Sequence, residues 1–336
     1  MASELILILS DFFPGTLSAA ADLAAPRLTG LETLLAKSRR SALPQGWRAW
    51  LAQRFAAPEI AALAPAEAVA RAWLLPSGAK HWLATPVHYF AGLDSVQLHP
   101  EGLLQLSTQE EAALVADFEA VFADTPWRLH GNGARELLLS GPTLDASAAD
   151  PAQFAGLDPS PGLPRGAELA TLRRLGVEIE MWLHEHRVNR ERRTRGERPV
   201  TTLWFWGASA PVRTPSSGPA ISTAGDLPRL FGHDTYAQAL WRLRGLESVP
   251  LPASLQGALP SEAGVLLAIL PTLDANGLIG AFERLEAQWF APALQGLRER
   301  RLAAIHLLAG ERSYELRRLH LARLWRALLP WAEQMA

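Results

Sequence analysis

Residues 184–209 read HEHRVNRERRTRGERPVTTLWFWGAS, and the order of residue types in this stretch decides how the fold is interpreted. Its polar, arginine-rich first part ends at Gly196 and Pro199, and the apolar run 203–206 follows at once and is closed by Gly207. This order predicts a helix, a short turn and a buried strand. Ligands of open α/β sheets collect at the carboxyl ends of strands, so the pattern favours an anion site here.

The polar residues before the strand are the candidate contacts for an anion. Asn189 and Arg192 are an i,i+3 pair on one helix face, and the planar fork of arginine suits phosphate. His184 and His186 are two residues apart and lack the H-E-x-x-H spacing of zinc sites, so one would pack or cap while the other meets ligand or solvent. The alternative for the whole arginine run is a solvated helix end.

Three further residues complete the candidate ligand site. Trp206 and Gly207 would shape the pocket wall at the strand's end, although aromatic packing under a helix is the alternative for Trp206. Asp11 follows the first predicted strand, where it could orient a ligand or cap a helix. The sequence assigns neither a catalytic residue nor a metal ligand.

Composition bounds the class of protein. The chain has 336 residues, of which 49% are hydrophobic and 20% charged, as in ordinary globular proteins. The net charge of −2 indicates no general attraction to nucleic acid or membrane, and the lack of cysteine excludes disulfides and thiolate chemistry. No basic n-region or long apolar window is present, so we expect a cytoplasmic protein with no nucleic-acid or membrane partner.

Hydrophobic periodicity predicts an α/β fold. Helices alternate with apolar runs that predict strands at 5–9, 201–206, 265–270 and 303–308. This alternation favours a mainly parallel sheet core with flanking helices.

The middle of the chain has a different pattern of predicted secondary structure. Short extended pieces predominate from residue 81 to about 140, and the Gly-Asn-Gly turn at 131–133 predicts a hairpin. We therefore assign 1–64 and 146–336 to the α/β core and 65–145 to an inserted α+β subdomain.

The C-terminal region predicts one more helix. Residues 314–331 have an amphipathic pattern in which arginines alternate with leucine, histidine and tryptophan. We interpret this region as a packed outer helix, in preference to a membrane or RNA contact.

A spaced motif runs through the opening stretch: His186-x-Val188-Asn189-x-x-Arg192-x-x-x-Gly196-x-x-Pro199, then Leu203-Trp204-Phe205-Trp206-Gly207. It resembles the "H-P-V-N-x-x-R … G-x-x-P-x-N … W-x-W-G" segment of archaeal-type cofactor-independent phosphoglycerate mutases, which belong to the alkaline phosphatase superfamily. It is also similar to a shorter bacterial group of RpfE-type regulatory proteins, which residues 82–88 (WLATPVH) and 289–292 (WFAP) fit as well. The resemblance implies a reduced alkaline phosphatase-like fold.

The chain departs from the mutases where they carry their metals. Those enzymes have Asp-Gly after the first strand, whereas Asp11 is followed here by Phe12. Between 264 and 336 the only aspartate is Asp274 and the only histidines are His306 and His320. Two-metal phosphoryl transfer needs several carboxylates and imidazoles that converge, so we predict no cofactor.

Three functions follow from these patterns. The favoured one is a phosphoglycerate mutase-like pseudoenzyme that binds a phosphorylated small molecule or a protein partner in a regulatory role. The alternative is a metal-dependent phosphoglycerate mutase or phosphatase, with Mn²⁺ or Zn²⁺ held by Asp11, His184 or His186. Nucleic-acid binding through the arginine run is the third, and the net charge disfavours it.

Overall fold

The computed structural model describes residues 3–10, 12, 26–92, 96–133, 137–166, 168–209, 227–258, 264–272 and 277–335. The strands in these ranges are β1 (Ser3–Leu9), β2 (Arg39–Ala42), β3 (Lys80–Ala91), β4 (Val96–Leu103), β5 (Arg128–His130), β6 (Leu137–Gly141), β7 (Thr202–Trp206), β8 (Arg229–Phe231), β9 (Val265–Leu270), β10 (Leu302–Ala309) and β11 (Arg312–Arg317).

The α-helices in the same ranges are α1 (Thr29–Lys37), α2 (Gly46–Phe55), α3 (Pro58–Ala61), α4 (Pro65–Ala72), α5 (Thr108–Val121), α6 (Leu169–Glu185), α7 (Arg187–Thr194), α8 (Thr235–Arg242), α9 (Leu255–Ala258), α10 (Gly277–Leu285), α11 (Ala291–Arg298) and α12 (Trp331–Met335). A π-helical turn, Glu286–Phe290, joins α10 to α11, and short 3-10 helices occur at Pro151–Phe154, Ser160–Gly162 and Arg318–Ala322. None of these helices is long and apolar enough to cross a membrane.

The chain divides into two compact units, a core unit of Met1–Ala61 with Thr214–Ala336 and a middle unit of Ala62–Arg213. This division differs from the predicted one in where residues 146–213 fall. The predicted strand at 201–206 forms as β7, but it pairs antiparallel with β3, from Leu83↔Trp206 to Val87↔Thr202. Backbone hydrogen bonds therefore place β7 in the sheet of the middle unit.

The core unit contains a mixed sheet, with the order β2-β11-β10-β1-β9-β8 among the described strands. Neighbours from β10 to β8 pair in parallel, whereas β11 pairs antiparallel with both β10 and β2. The predicted mainly parallel core is thus not confirmed. Only two residues, Gly310 and Glu311, separate β10 from β11, and so tight a turn can join only antiparallel strands.

Apolar burial explains why β1 lies inside this sheet. Residues 5–9 are fully buried, as expected of a strand covered on both faces, and this confirms the first predicted strand. On one face β1 packs with side chains of α1, α10 and α11 in a single hydrophobic cluster. Phe282 of α10 stacks on Trp331 of α12 at a ring distance of 4.5 Å.

The middle unit is built on an antiparallel sheet, with the order β4-β3-β6-β5 and β7 also paired to β3. The predicted hairpin is confirmed, since β5 and β6 flank the turn at 131–133 with Arg128 opposite Ser140. Trp82, Phe118 and Ile179 join one hydrophobic cluster, which packs α5 and α6 against the sheet.

The predicted helix at 314–331 is wrong. Tyr314 and Leu316 are buried while Ser313, Glu315 and Arg317 are more exposed, which is the two-residue period of a strand, and this part forms β11. A short 3-10 helix and an irregular stretch follow, and α-helix resumes only at Trp331.

Candidate functional site

Asn189 links the end of α6 to the beginning of β7. Its side-chain Nδ2 donates to the carbonyls of Leu183 and Val200, each at 2.7 Å, and its Oδ1 accepts from the Val200 N–H at 2.7 Å. The residue is 1% exposed. All the polar atoms of this side chain are therefore used by the backbone it connects.

Arg192 occupies a buried ion pair. Its Nη1 lies 3.0 and 3.1 Å from the two carboxylate oxygens of Glu110 on α5, and its Nε donates to the Arg198 carbonyl at 2.7 Å. Both side chains of the pair are 6% exposed. Glu110 also accepts from Arg195 Nη2 at 2.6 Å, so its charge is shared by two arginines.

His186 connects two helices. Its Nδ1 accepts from the Val188 N–H at 3.2 Å and caps α7, which leaves the ring proton on Nε2, 3.0 Å from Asp117 Oδ2 on α5. His184 is exposed, and its carbonyl accepts from Arg193. The structure therefore separates the two histidines, as their spacing predicts.

We expect the middle unit to lose stability in mild acid. Burial lowers the pKa of His186, although Asp117 raises it, and burial also lowers the pKa values of His81 and His130. Unfolded histidine has a pKa of about 6.5, so below that pH the unfolded state takes up protons first. The contribution of these neutral histidines to the free energy of unfolding is fully present above this pH and decreases below it. Each histidine loses at most about 1.4 kcal/mol for every pH unit. Denaturant midpoints at neutral and mildly acidic pH measure the effect; equal values would contradict it.

Trp206 and Gly207 are also engaged in packing. Trp206 is 5% exposed and its indole N–H donates to Thr85 Oγ1 on β3 at 2.8 Å. Gly207 has a φ of +73°, and its carbonyl accepts from Ala66 N at the beginning of α4. Together they connect the end of β7 to its neighbours, and the anion site predicted around them remains a prediction.

The resemblance implies metals, and the structure describes only part of the candidate donor set. Both ring nitrogens of His186 already have partners, and the candidate Asp11, like Asp274, lies outside the described residues. In the part of the chain that is described, no group of three His, Asp or Glu side chains could hold a metal ion.

The carboxyl ends of the parallel strands carry a buried ion pair that the sequence did not indicate. Arg48 Nη2 of α2 lies 2.7 Å from Asp234 Oδ2, and Asp234 caps α8 through the N–H of Ala237. The fully buried Thr272 follows β9, and its hydroxyl has no partner among the described residues. Arg48 and Asp234 are 186 residues apart, so no local pattern predicts that they pair. The only local signal is that an aspartate such as Asp234 favours the cap of a helix.

A second polar region of the core unit forms an open cavity of about 530 Å³. Four arginines line it, together with small, apolar and amide residues: Arg39, Arg40, Arg323, Arg326, Ala36, Ala327, Leu329 and Gln334. We call this cavity the arginine cleft.

The end of α1 fixes two of these arginines. Arg323 Nη1 donates to the Lys37 carbonyl at 2.8 Å, and Arg326 Nη1 donates to the Ser38 carbonyl at 2.6 Å. Lys37 Nζ in turn donates to the carbonyls of Arg323 and Arg326. The last carbonyls of a helix carry partial negative charge, so cations are stabilised there.

No carboxylate of the described residues neutralises the positive charge of the arginine cleft. Within the described residues, none of its four arginines lies within 4.0 Å of a carboxylate oxygen, whereas nearby Arg27 and Arg317 pair with Glu32 and Glu315. Arg40 Nη2 lies 3.4 Å from Gln334 Oε1, and the Arg40 guanidinium lies over the Tyr314 ring. The cleft therefore presents donors that an anion could accept from.

Sequence reasoning did not find this cleft. Arg323 and Arg326 fell within the outer helix predicted at 314–331, and Arg39 was not singled out. The two pairs of arginines lie nearly 300 residues apart in the chain and meet only because β2 pairs with β11. Two adjacent arginines after a helix were the only local signal.

No family model matches the chain, and no curated protein matches it. Similar solved structures include a cofactor-independent phosphoglycerate mutase from Thermoplasma acidophilum DSM 1728, 16% identical, with a TM-score of 0.39; the match covers 94% of this chain and 89% of that one. Another is the PH0037 protein from Pyrococcus horikoshii, 12% identical, with a TM-score of 0.43, covering 94% of this chain and 86% of that one. At such low identities and TM-scores, neither match assigns an activity.

Proposed function

We propose that this protein is a phosphoglycerate mutase-like, non-catalytic regulatory protein of the cytoplasm that binds a small phosphorylated anion in the arginine cleft. The observation that carries the proposal is that four arginines line one cavity, with no carboxylate paired to them among the described residues. The family likeness rests on the sequence motif at 186–207.

The chemistry of the arginine cleft suits a phosphate group. A guanidinium offers two parallel N–H donors that match two phosphate oxygens, and charged hydrogen bonds of this kind are stronger than neutral ones. Because Arg323 and Arg326 are held by carbonyls, little side-chain freedom is lost when they bind. The volume of about 530 Å³ lies in the usual range for small-molecule sites.

The test is isothermal titration of the whole protein with inorganic phosphate and with 3-phosphoglycerate. We expect saturable binding that weakens about tenfold or more in Arg39→Gln and Arg40→Gln, since one charged hydrogen bond contributes about 1.5–3 kcal/mol. Arg173→Gln removes an exposed arginine of α6 and serves as the matched control. Absence of binding, or equal binding by all variants, would exclude the cleft as the site.

The non-catalytic part of the proposal has a separate readout. We expect no release of phosphate from phosphate esters in the presence of Mn²⁺ or Zn²⁺. Metal-dependent turnover that tracks the protein through purification would support the mutase or phosphatase alternative.

A further inference from the structure

The stretch that begins at the last residue of β11, residues 317–330 (RRLHLARLWRALLP), has an unusual surface; we call it the C-terminal segment. It contains four arginines and no acidic residue. It also exposes large apolar side chains, with Leu319 71%, Leu324 84% and Trp325 79% accessible to solvent. Isolated exposed leucines are common, but three strongly exposed apolar residues among like charges in so short a segment indicate an interaction surface.

We propose that the C-terminal segment docks onto an anionic lipid surface. Leu319, Leu324 and Trp325 would enter the boundary between headgroups and acyl chains, while arginines contact the lipid phosphates. Tryptophan favours this boundary because its ring is apolar and its N–H is polar, and leucine adds apolar area. The docking surface goes beyond the small-anion site: Leu319, Leu324 and Trp325 do not line the arginine cleft, whereas Arg323 and Arg326 belong to both.

The segment is held so that these apolar residues point away from the core unit. His320 is buried, and Lys37 and Arg326 tie the backbone on either side of Leu324 and Trp325 to the end of α1. Leu324 and Trp325 lie between the anchored residues Arg323 and Arg326, and Leu319 directly precedes the buried His320; all three apolar side chains are at least 71% exposed. A rigid display of this kind needs little ordering when it binds.

The positive charge of the C-terminal segment favours an anionic lipid surface over a second copy of the chain or a nucleic acid. Arg318 is exposed and pairs with no carboxylate among the described residues, and Arg323 and Arg326 likewise have only carbonyl partners. A second copy of the chain would bring like charges together. A nucleic acid could stack on Trp325 but would gain nothing from the leucines.

The sequence disfavoured a membrane partner because of its low net charge and its lack of a long apolar window. A further reason was the prediction that 314–331 is a packed helix. That reason no longer holds, since the region is a strand followed by an irregular exposed segment. The low net charge of the whole chain does not oppose docking, because screening limits electrostatic attraction to about a Debye length, roughly 10 Å, and the segment's local charge decides.

Cosedimentation of the whole protein with lipid vesicles tests the proposal. We expect binding to vesicles of equimolar phosphatidylserine and phosphatidylcholine, weaker binding at high salt, and none to phosphatidylcholine alone. The double substitution Leu324→Ser with Trp325→Ser should lower the partition coefficient about tenfold or more, since two large apolar contacts are lost. No binding to the anionic vesicles, or unchanged binding by this variant, would overturn the proposal.

Matched controls distinguish binding by the C-terminal segment from nonspecific adsorption through other exposed apolar residues and from anion binding in the arginine cleft. Val177→Ser with Met181→Ser removes two exposed apolar residues of α6 and should leave vesicle binding unchanged. The Leu324 and Trp325 variant should keep its thermal midpoint and its affinity for inorganic phosphate. Phosphate binding without vesicle binding would refute lipid docking alone, and the reverse would refute the small-anion site alone.

Discussion

Replacing Glu110 with alanine should destabilise the middle unit by about 3–5 kcal/mol, because it leaves the buried Arg192 guanidinium without its carboxylate. Glu110 is 5% exposed, and the remaining acid near Arg192 is Glu197 at 3.7 Å. The substitution also removes the capping box of α5, in which Glu110 accepts from the Ser107 N–H at 2.8 Å. Urea denaturation followed by tryptophan fluorescence measures the change.

Two variants make this expectation specific. Glu119→Ala removes an exposed acid from the same helix and should change stability by less than about 0.5 kcal/mol. Arg192→Ala should cost less than Glu110→Ala, because Arg195 still pairs with Glu110 at 2.6 Å. If Glu110→Ala folds as stably as the parent, the ion pair does not hold α5 to α7.

Replacing Asn189 with alanine should cost about 3 kcal/mol or more. The change leaves the N–H and carbonyl of Val200 without the Asn189 amide, and an unpaired buried polar group costs about 1–3 kcal/mol. The Leu183 carbonyl also loses the amide but keeps the His186 N–H at 3.1 Å. The same denaturation experiment measures the loss.

The neighbouring Arg190 supplies the control for Asn189. It is exposed on α7, so Arg190→Ala should leave the unfolding midpoint nearly unchanged. Asn189→Asp keeps the acceptor for Val200 N–H but loses both donations, and we expect it to be destabilised as well. An Asn189→Ala variant with parental stability would instead favour the predicted role of this residue in ligand binding.

These two predictions give the motif at 186–207 a structural meaning. His186 caps α7, Asn189 connects α6 to β7, and Arg192 joins α7 to α5. Spaced polar residues before a strand look alike in sequence whether they bind a ligand or neighbouring backbone. The difference lies in partners such as Glu110, which is 82 residues away and invisible to local pattern.

The sequence by itself determined those elements whose signals are local. The apolar run at 5–9 became a strand buried on both faces, the Gly-Asn-Gly turn became a hairpin, and the run at 201–206 became β7. Each is set by burial period, turn chemistry or strand propensity within a few residues.

Only the tertiary structure decided how these elements combine. Strand direction and partner depend on long-range hydrogen bonds, so the sequence could not place β7 beside β3 or set β11 antiparallel to β10. Residues 314–331 have a pattern that a helix could also satisfy, and pairing with β10 and β2 selected a strand for the first part of this region, up to Arg317. The same pairing assembled the arginine cleft from both ends of the chain, because local periodicity carries no information about contacts nearly 300 residues apart.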